Sequence, residues 1–248
     1  MTDIFDDLKA EYEQLDAVLA ALTPAQWSHP SAAAGWTVSD VVLHLAQTEE
    51  LVAASVAGDD VGVGGEGIDA VADTLVAAQR DITPADLLAR WRTAASATPA
   101  ALRAQPKGTR LSWVAIPLSP ATLATTRLAE HWAHAYDITA PLGIPYPDTA
   151  RLRHIAWLGH RTLPYAFEVE GVEGGPVYCE LTSPDGDLWH FGDPAAPSTI
   201  TGPAADFCRV GARRLDAEGN GPARPPGARR PPQLRPLTAS GRVVDRQD

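Results

Sequence analysis

The chain has 248 residues, 45% of them hydrophobic, and a formal charge of −11. That length can bury a real core in one or two domains, and the acidic balance argues against a phosphate-backbone partner, which needs a basic face. No apolar run approaches the ~20 residues that a membrane span requires, so neither a nucleic-acid nor a membrane partner is expected.

Met1 leads straight into Asp3, Asp6, Asp7 and Glu11. A basic region followed by an apolar stretch is missing there, so no secretory signal is expected and the protein reads as cytoplasmic. Over residues 3–22, Ile4, Leu8, Leu15, Val18, Leu19 and Leu22 recur mostly at three- and four-residue steps, the pattern of an amphipathic helix. Leu22-Thr23-Pro24 ends it in a short turn carrying Trp27. A second helix is expected from Thr37, a capping residue with Asp40 three positions on, to about Ala57. Gly58–Gly67 is rich in Gly and Asp and reads as a mobile loop. A third helical region covers about Asp69–Ala104 and restarts at Thr83-Pro84, with Thr as cap and Pro in the first turn. A fourth begins at Ser119-Pro120 and is expected to stop near Ala140, just before Pro141. A fifth runs from Thr149 to about Phe167.

After Gly171 the pattern changes. The runs 177–182 and 188–191 flank Ser183-Pro184-Asp185-Gly186-Asp187, a hairpin signal. A short strand at 198–201 and a helix from Ala204 to about Arg214 complete a small α+β module. Its Cys179 and the helix's Cys208 have no C-x-x-C spacing and read as small buried hydrophobes. Residues 221–236 hold six Pro and four Arg, a disordered composition. The fold class expected is therefore α+β, mainly α. A four-helix bundle (1–168) precedes a small α+β domain (172–216) and a Pro/Arg-rich tail (217–248).

Three residues carry the chemistry. Glu130 and His134 lie four apart in the fourth helix; at ~100° per residue they share one face, one turn apart, and can reach one cation. His44 sits among apolar residues of the second helix and supplies a third ligand, leaving positions open for water or substrate. Taken alone, His44 also fits a hydrogen-bonded core histidine, and Glu130 with His134 fits an ordinary surface pair. His131 competes for the ligand role but lies roughly 80° of rotation from the middle of the Glu130–His134 face. Asp137, three beyond His134, fits either a carboxylate supporting that imidazole or a solvated acid. His29, His154, His160 and His190 have no carboxylate at matching spacing. His/Glu/His suits Zn, with Fe, Ni or Mn also possible.

The run Gly35-Trp36-Thr37-Val38-Ser39-Asp40-Val41-Val42-Leu43-His44-Leu45 resembles the second helix of DinB-like bundles, specifically the mycothiol-dependent maleylpyruvate isomerase group. Arg127–Ile138 resembles the same group's Glu-x-x-x-His helix with an Asp three residues on. Residues 180–186 and 199–208 look like the group's attached α+β domain, and the tail after Glu218 departs from it. The resemblance implies zinc ligation by His44, Glu130 and His134. It implies a low-molecular-weight thiol, mycothiol or similar, as cosubstrate, and an Arg in the C-terminal module for thiol binding. Arg214 is the nearest match, with Arg213 adjacent, and a solvated Arg at a helix end reads as well there. The function implied is a metal- and thiol-dependent isomerase or S-transferase acting on a small electrophile, in a monomer or homodimer. The alternative is a non-catalytic DinB-like metal-binding protein.

The Pro-rich tail holds too little apolar surface to offset its ordering entropy. Deleting residues 221–248 is expected to leave both the melting temperature and the metal content unchanged. A truncated protein melting many degrees lower would show that the tail packs on the body.

Overall fold

A computed structural model describes residues 3–62 and 67–216. The expected tail and part of the expected Gly-rich loop lie outside these residues. The chain divides between Tyr146 and Pro147 into two compact units.

The first unit begins with α1 (Ile4–Leu19), started by the Asp3 side chain accepting from the Phe5 N–H. Leu8, Tyr12, Leu15 and Leu19 bury its inner face at helical spacing. One short turn, α2 (Pro24–Trp27), buries Trp27. Next, α3 (Val38–Ala57) opens on a complete capping box: Thr37 Oγ1 accepts from the Asp40 N–H and Asp40 Oδ2 accepts from the Thr37 N–H. Gly58 ends it at φ 101°, a left-handed conformation that suits glycine. The expected break in the third helical region is present, giving α4 (Ile68–Ala77) and α5 (Pro84–Arg103), the latter capped by Thr83. Then α6 (Pro120–Leu142) is capped by Ser119.

The long helices α1, α3, α5 and α6 pack on one another. Leu43, Leu45, Leu87, Trp91, Leu123, Leu128 and Ile138 are all buried between them. One detail differs from expectation. Rather than stopping before Pro141, α6 continues to Leu142 and closes on left-handed Gly143. Proline lacks the N–H that would bond the carbonyl four residues back. That carbonyl belongs to Asp137, and the Ala32 N–H takes it instead at 2.9 Å. The missing donor thus ties the segment ahead of α3 onto α6.

The second unit holds α7 (Leu152–Glu170), β1 (Val177–Thr182), β2 (Leu188–Phe191), β3 (Ser198–Pro203) and α8 (Ala204–Gly211). The sheet order is β2-β1-β3, with β1–β2 antiparallel and β1–β3 parallel. The expected Asp-Gly loop joins β1 to β2. Ser183 Oγ accepts from the N–H groups of Asp185 and Asp187, and Gly186 takes φ 89°. Sequence alone had assigned the 149–167 helix to the bundle; here α7 belongs to the second unit and packs on α8 and β2. Gly159 permits this: a Cβ there would meet the Phe207 ring at 3.0 Å. Cys179 and Cys208 are free and buried, and burial pushes the Cys179 thiol up to about 12, far from a reactive thiolate. Among the described residues no helix is long and apolar enough to cross a membrane.

The capping box sets where α3 starts. Thr37→Ala is expected to cost about 1 kcal/mol, read as a lowered urea midpoint at unchanged m-value. An unchanged midpoint would mean that packing alone fixes the start.

Candidate metal centre

Helix periodicity places Glu130 and His134 one turn apart on α6, and the packing of α3 on α6 brings His44 to them. His134 Nε2 lies 3.3 Å from Glu130 Oε2, and His44 Nε2 lies 3.8 Å from the same oxygen. One donor atom from each residue fits within a 4.8 Å set, the one such His/Cys/Asp/Glu group among the described residues. Tetrahedral coordination at about 2.1 Å separates donor atoms by about 3.4 Å, so these residues fit a divalent cation after small side-chain adjustments. The imidazoles are largely buried, whereas the Glu130 side chain is 44% exposed, so the cluster reaches solvent on the carboxylate side.

Asp137 resolves in favour of the supporting role. Its Oδ2 accepts from His134 Nδ1–H at 2.9 Å and is itself buried. That bond holds Nδ1–H on Asp137 and aims Nε2 at Glu130, the direction a ligating imidazole needs. The electrostatics follow. Burial opposes ionisation of Glu130, but hydrogen bonds from His134 and His44 and the charge of Arg127 outweigh it and hold the carboxyl well below its ordinary range. Burial depresses His44 against the pull of Glu130, which favours its neutral form. For His134 burial is outweighed by Asp137 and Glu130, which raise it.

His131, the competing histidine, is spent in the core. Its ring is fully buried; Nδ1 donates to the Arg127 carbonyl oxygen and Nε2 accepts from the Trp91 indole N–H at 3.1 Å. Indole can only donate, so the ring is the neutral Nδ1–H tautomer with no lone pair to spare. Burial carries it down to about 4. Three further histidines have partners of their own: His29 Nδ1 meets the Pro30 carbonyl, His160 Nε2 the Val177 carbonyl, and His190 pairs with Glu180. Arg214 follows α8 in the second unit, where its Nη1 donates to the Ala212 carbonyl at 2.6 Å.

Two features escaped the sequence reading. Trp36 packs beside both imidazoles, its ring centroid 5.1 Å from that of His44 and 6.4 Å from that of His134, and its indole N–H bonds Asp73. Its place one residue before the helix cap was the available signal. The second is a buried ion pair, Arg127 with Glu49, at 2.8 Å. Its partners are far apart in sequence, so only the charge amid apolar neighbours could have flagged either.

A helical domain presenting His/Glu/His from two packed helices, followed by a small α+β unit, is the class that the fold and cluster define. Residues 8–139 match the family described as the mycothiol maleylpyruvate isomerase N-terminal domain, and the chain belongs to that family. Uncharacterized proteins of Mycobacterium tuberculosis, from strains CDC 1551 / Oshkosh and ATCC 25618 / H37Rv, are each 39% identical over 210 residues, covering 82% of this chain and 81% of the relative. A crystal structure of mycothiol-dependent maleylpyruvate isomerase superposes with a TM-score of 0.60 at 19% identity, over 90% of this chain and 95% of that one. A His-to-Ala mutant of the isomerase gives 0.61 at 18%, over 91% and 99%. At such identities the likeness shows the fold.

The neutral His131 has a thermodynamic consequence. An unfolded chain takes up a proton near 6.5, whereas the folded ring resists until about 4. Stability from this group is therefore complete above about pH 6.5 and drains as pH falls towards 4, by roughly 3 kcal/mol in all. Imidazole NMR shifts are expected to show an Nδ1–H ring that does not titrate between pH 8 and 5. A midpoint near 6.5 would contradict the buried, doubly bonded ring.

Proposed function

We propose that this protein holds one divalent cation, zinc by donor type, on His44, Glu130 and His134, and uses a low-molecular-weight thiol, mycothiol or a close analogue, to isomerise a small electrophile or to form a stable thioether with it. The observation carrying this reading is the convergence of the three donor atoms within 4.8 Å on two packed helices. Family membership supports the thiol, since the related crystal structures are of a mycothiol-dependent isomerase.

When bound, the cation supplies an electric field that keeps a neighbouring thiol ionised near neutral pH. The chain's own residues supply the rest. His44 and His134 would offer ring nitrogens, the second held in register by Asp137 and giving up its Nε2 proton when a cation binds. Glu130 offers the one anionic oxygen, and three protein donors leave a position for sulfur. Trp36 walls the imidazoles with an apolar face. A thiolate adds to an electrophilic alkene carbon, forming a C–S bond and pushing the electron pair onto the conjugated acceptor. Rotation about the resulting single bond and cleavage of C–S return the thiolate and the isomerised alkene. Protonation of the adduct without cleavage gives S-transfer. Thiol recognition by Arg214 rests on the family resemblance alone; Arg214→Ala is then expected to raise the thiol's KM and spare the metal.

Elemental analysis is expected to give about one divalent ion per chain, lost in His44→Ala and His134→Ala and reduced together with turnover in Glu130→Gln. Full occupancy in His134→Ala would overturn the ligand set. Mycothiol titrated into the cobalt-loaded protein is expected to release heat and to produce a sulfur-to-metal charge-transfer band. Silence in both at millimolar thiol would remove the thiol chemistry. Thiol consumption across an electrophile panel, with and without metal, then separates an enzyme from a non-catalytic metal binder.

A further inference from the structure

The most heavily buried charges in the first unit are not the candidate ligands. Arg127 and Glu49 have side-chain exposures of 3% and 0% and meet at 2.8 Å, Nε to Oε1. Arg127 Nη2 also donates to Thr48 Oγ1 at 2.7 Å. Thr48 in turn shares its hydroxyl proton between the carbonyls of His44 and Leu45, each at 3.0 Å. Glu49 Oε2 accepts from Thr98 on α5 at 2.6 Å. These bonds hold α6 to α3 and α3 to α5.

Its location matters more than its strength. Arg127 precedes Glu130 by three residues and Thr48 follows His44 by four, so each shares a helix face with a proposed ligand. The Arg127–Thr48 bond crosses from α6 to α3 about one turn from the point where Glu130 meets His44. A buried ion pair adds little net stability, because desolvation consumes most of the attraction, and apolar residues of similar volume commonly do as well. It does fix a distance. Metal ligation tolerates only about 0.2 Å of error in each bond, and α3 and α6 must keep that tolerance across a packing interface.

We infer that Arg127, Glu49 and Thr48 form a positioning clasp that sets the α3–α6 spacing and thereby the metal affinity and coordination geometry of the His44/Glu130/His134 centre. This rests on the metal reading given above. The three residues touch neither cation nor substrate; they act through the helices that carry the ligands.

The test is cobalt(II) titration of the full chain, followed by visible d–d absorption, alongside thermal unfolding of the metal-free protein. The paired replacement Glu49→Leu with Arg127→Met is expected to keep a cooperative transition within a few degrees of wild type. Its cobalt affinity is expected to fall roughly tenfold or more, as for other residues that orient ligands, with a broadened or shifted d–d band. Thr48→Val keeps both charges and removes the crossing bond together with the hydroxyl's two bonds to carbonyls of its own helix. It is expected to weaken cobalt binding several-fold, and it carries the test by itself if the paired variant does not fold. Wild-type affinity and an unchanged spectrum in Thr48→Val and in a folded paired variant would overturn the clasp while leaving the metal centre standing. A wild-type chain that binds no cobalt would instead overturn the metal reading on which the clasp depends.

Discussion

Ionisable side chains taken out of water must find partners, and the facing surfaces of α3 and α6 are organised by that requirement. Glu49 and Arg127 satisfy each other in the deepest layer. One layer out, Glu130 faces two imidazoles, and His134 leans on Asp137. The inner pair is closed on itself and on Thr48 and Thr98, whereas the outer trio leaves donor atoms converging on a shared point. A region of the first kind contributes rigidity and a region of the second kind contributes reactivity. The contiguity of the two lets a soft, solvent-reaching cluster inherit its geometry from a hard, dry one.

The chain's local chemistry serves that arrangement at each step. Capping boxes and Thr or Ser caps start the helices, so short-range bonds set the axial position of His44, Glu130 and His134. Leu, Val and Ala fill the remaining inner positions, giving α3 and α6 a close approach. Placement along each helix is thus local, and placement between helices is tertiary.

That division explains how much could be read in advance. The helices, the break at Thr83-Pro84, the Asp-Gly hairpin and the shared face of Glu130 and His134 are short-range properties, visible as spacing. His44 is different: an apolar helix carrying one histidine is compatible with a core role, and only the contact with α6 shows which nitrogens it meets. The choice between His131 and His134 followed from rotation about the axis, but the reason His131 is inert, its bonds to Trp91 and to the Arg127 carbonyl, is tertiary. Glu49 and Arg127 lie far apart in sequence and gave no spacing signal. The helix after Tyr146 was read with the bundle because its periodicity names an apolar face but not the neighbour that covers it. Pro141 was read as a stop, since the sequence does not show that another amide waits for the carbonyl it leaves free.

Asp137 sits where two of these threads cross. Its side chain orients the His134 ring, while its main-chain carbonyl, left unclaimed by Pro141, receives the Ala32 amide. One residue therefore fastens both an imidazole of the cluster and the approach to α3 that carries Trp36. In hydrogen-exchange terms, the Ala32 amide becomes a gauge placed outside the cluster: its proton can exchange only when the segment lifts from α6. Slowed exchange at this single loop amide on filling the centre would report that the segment and the imidazole are ordered as one cooperative element.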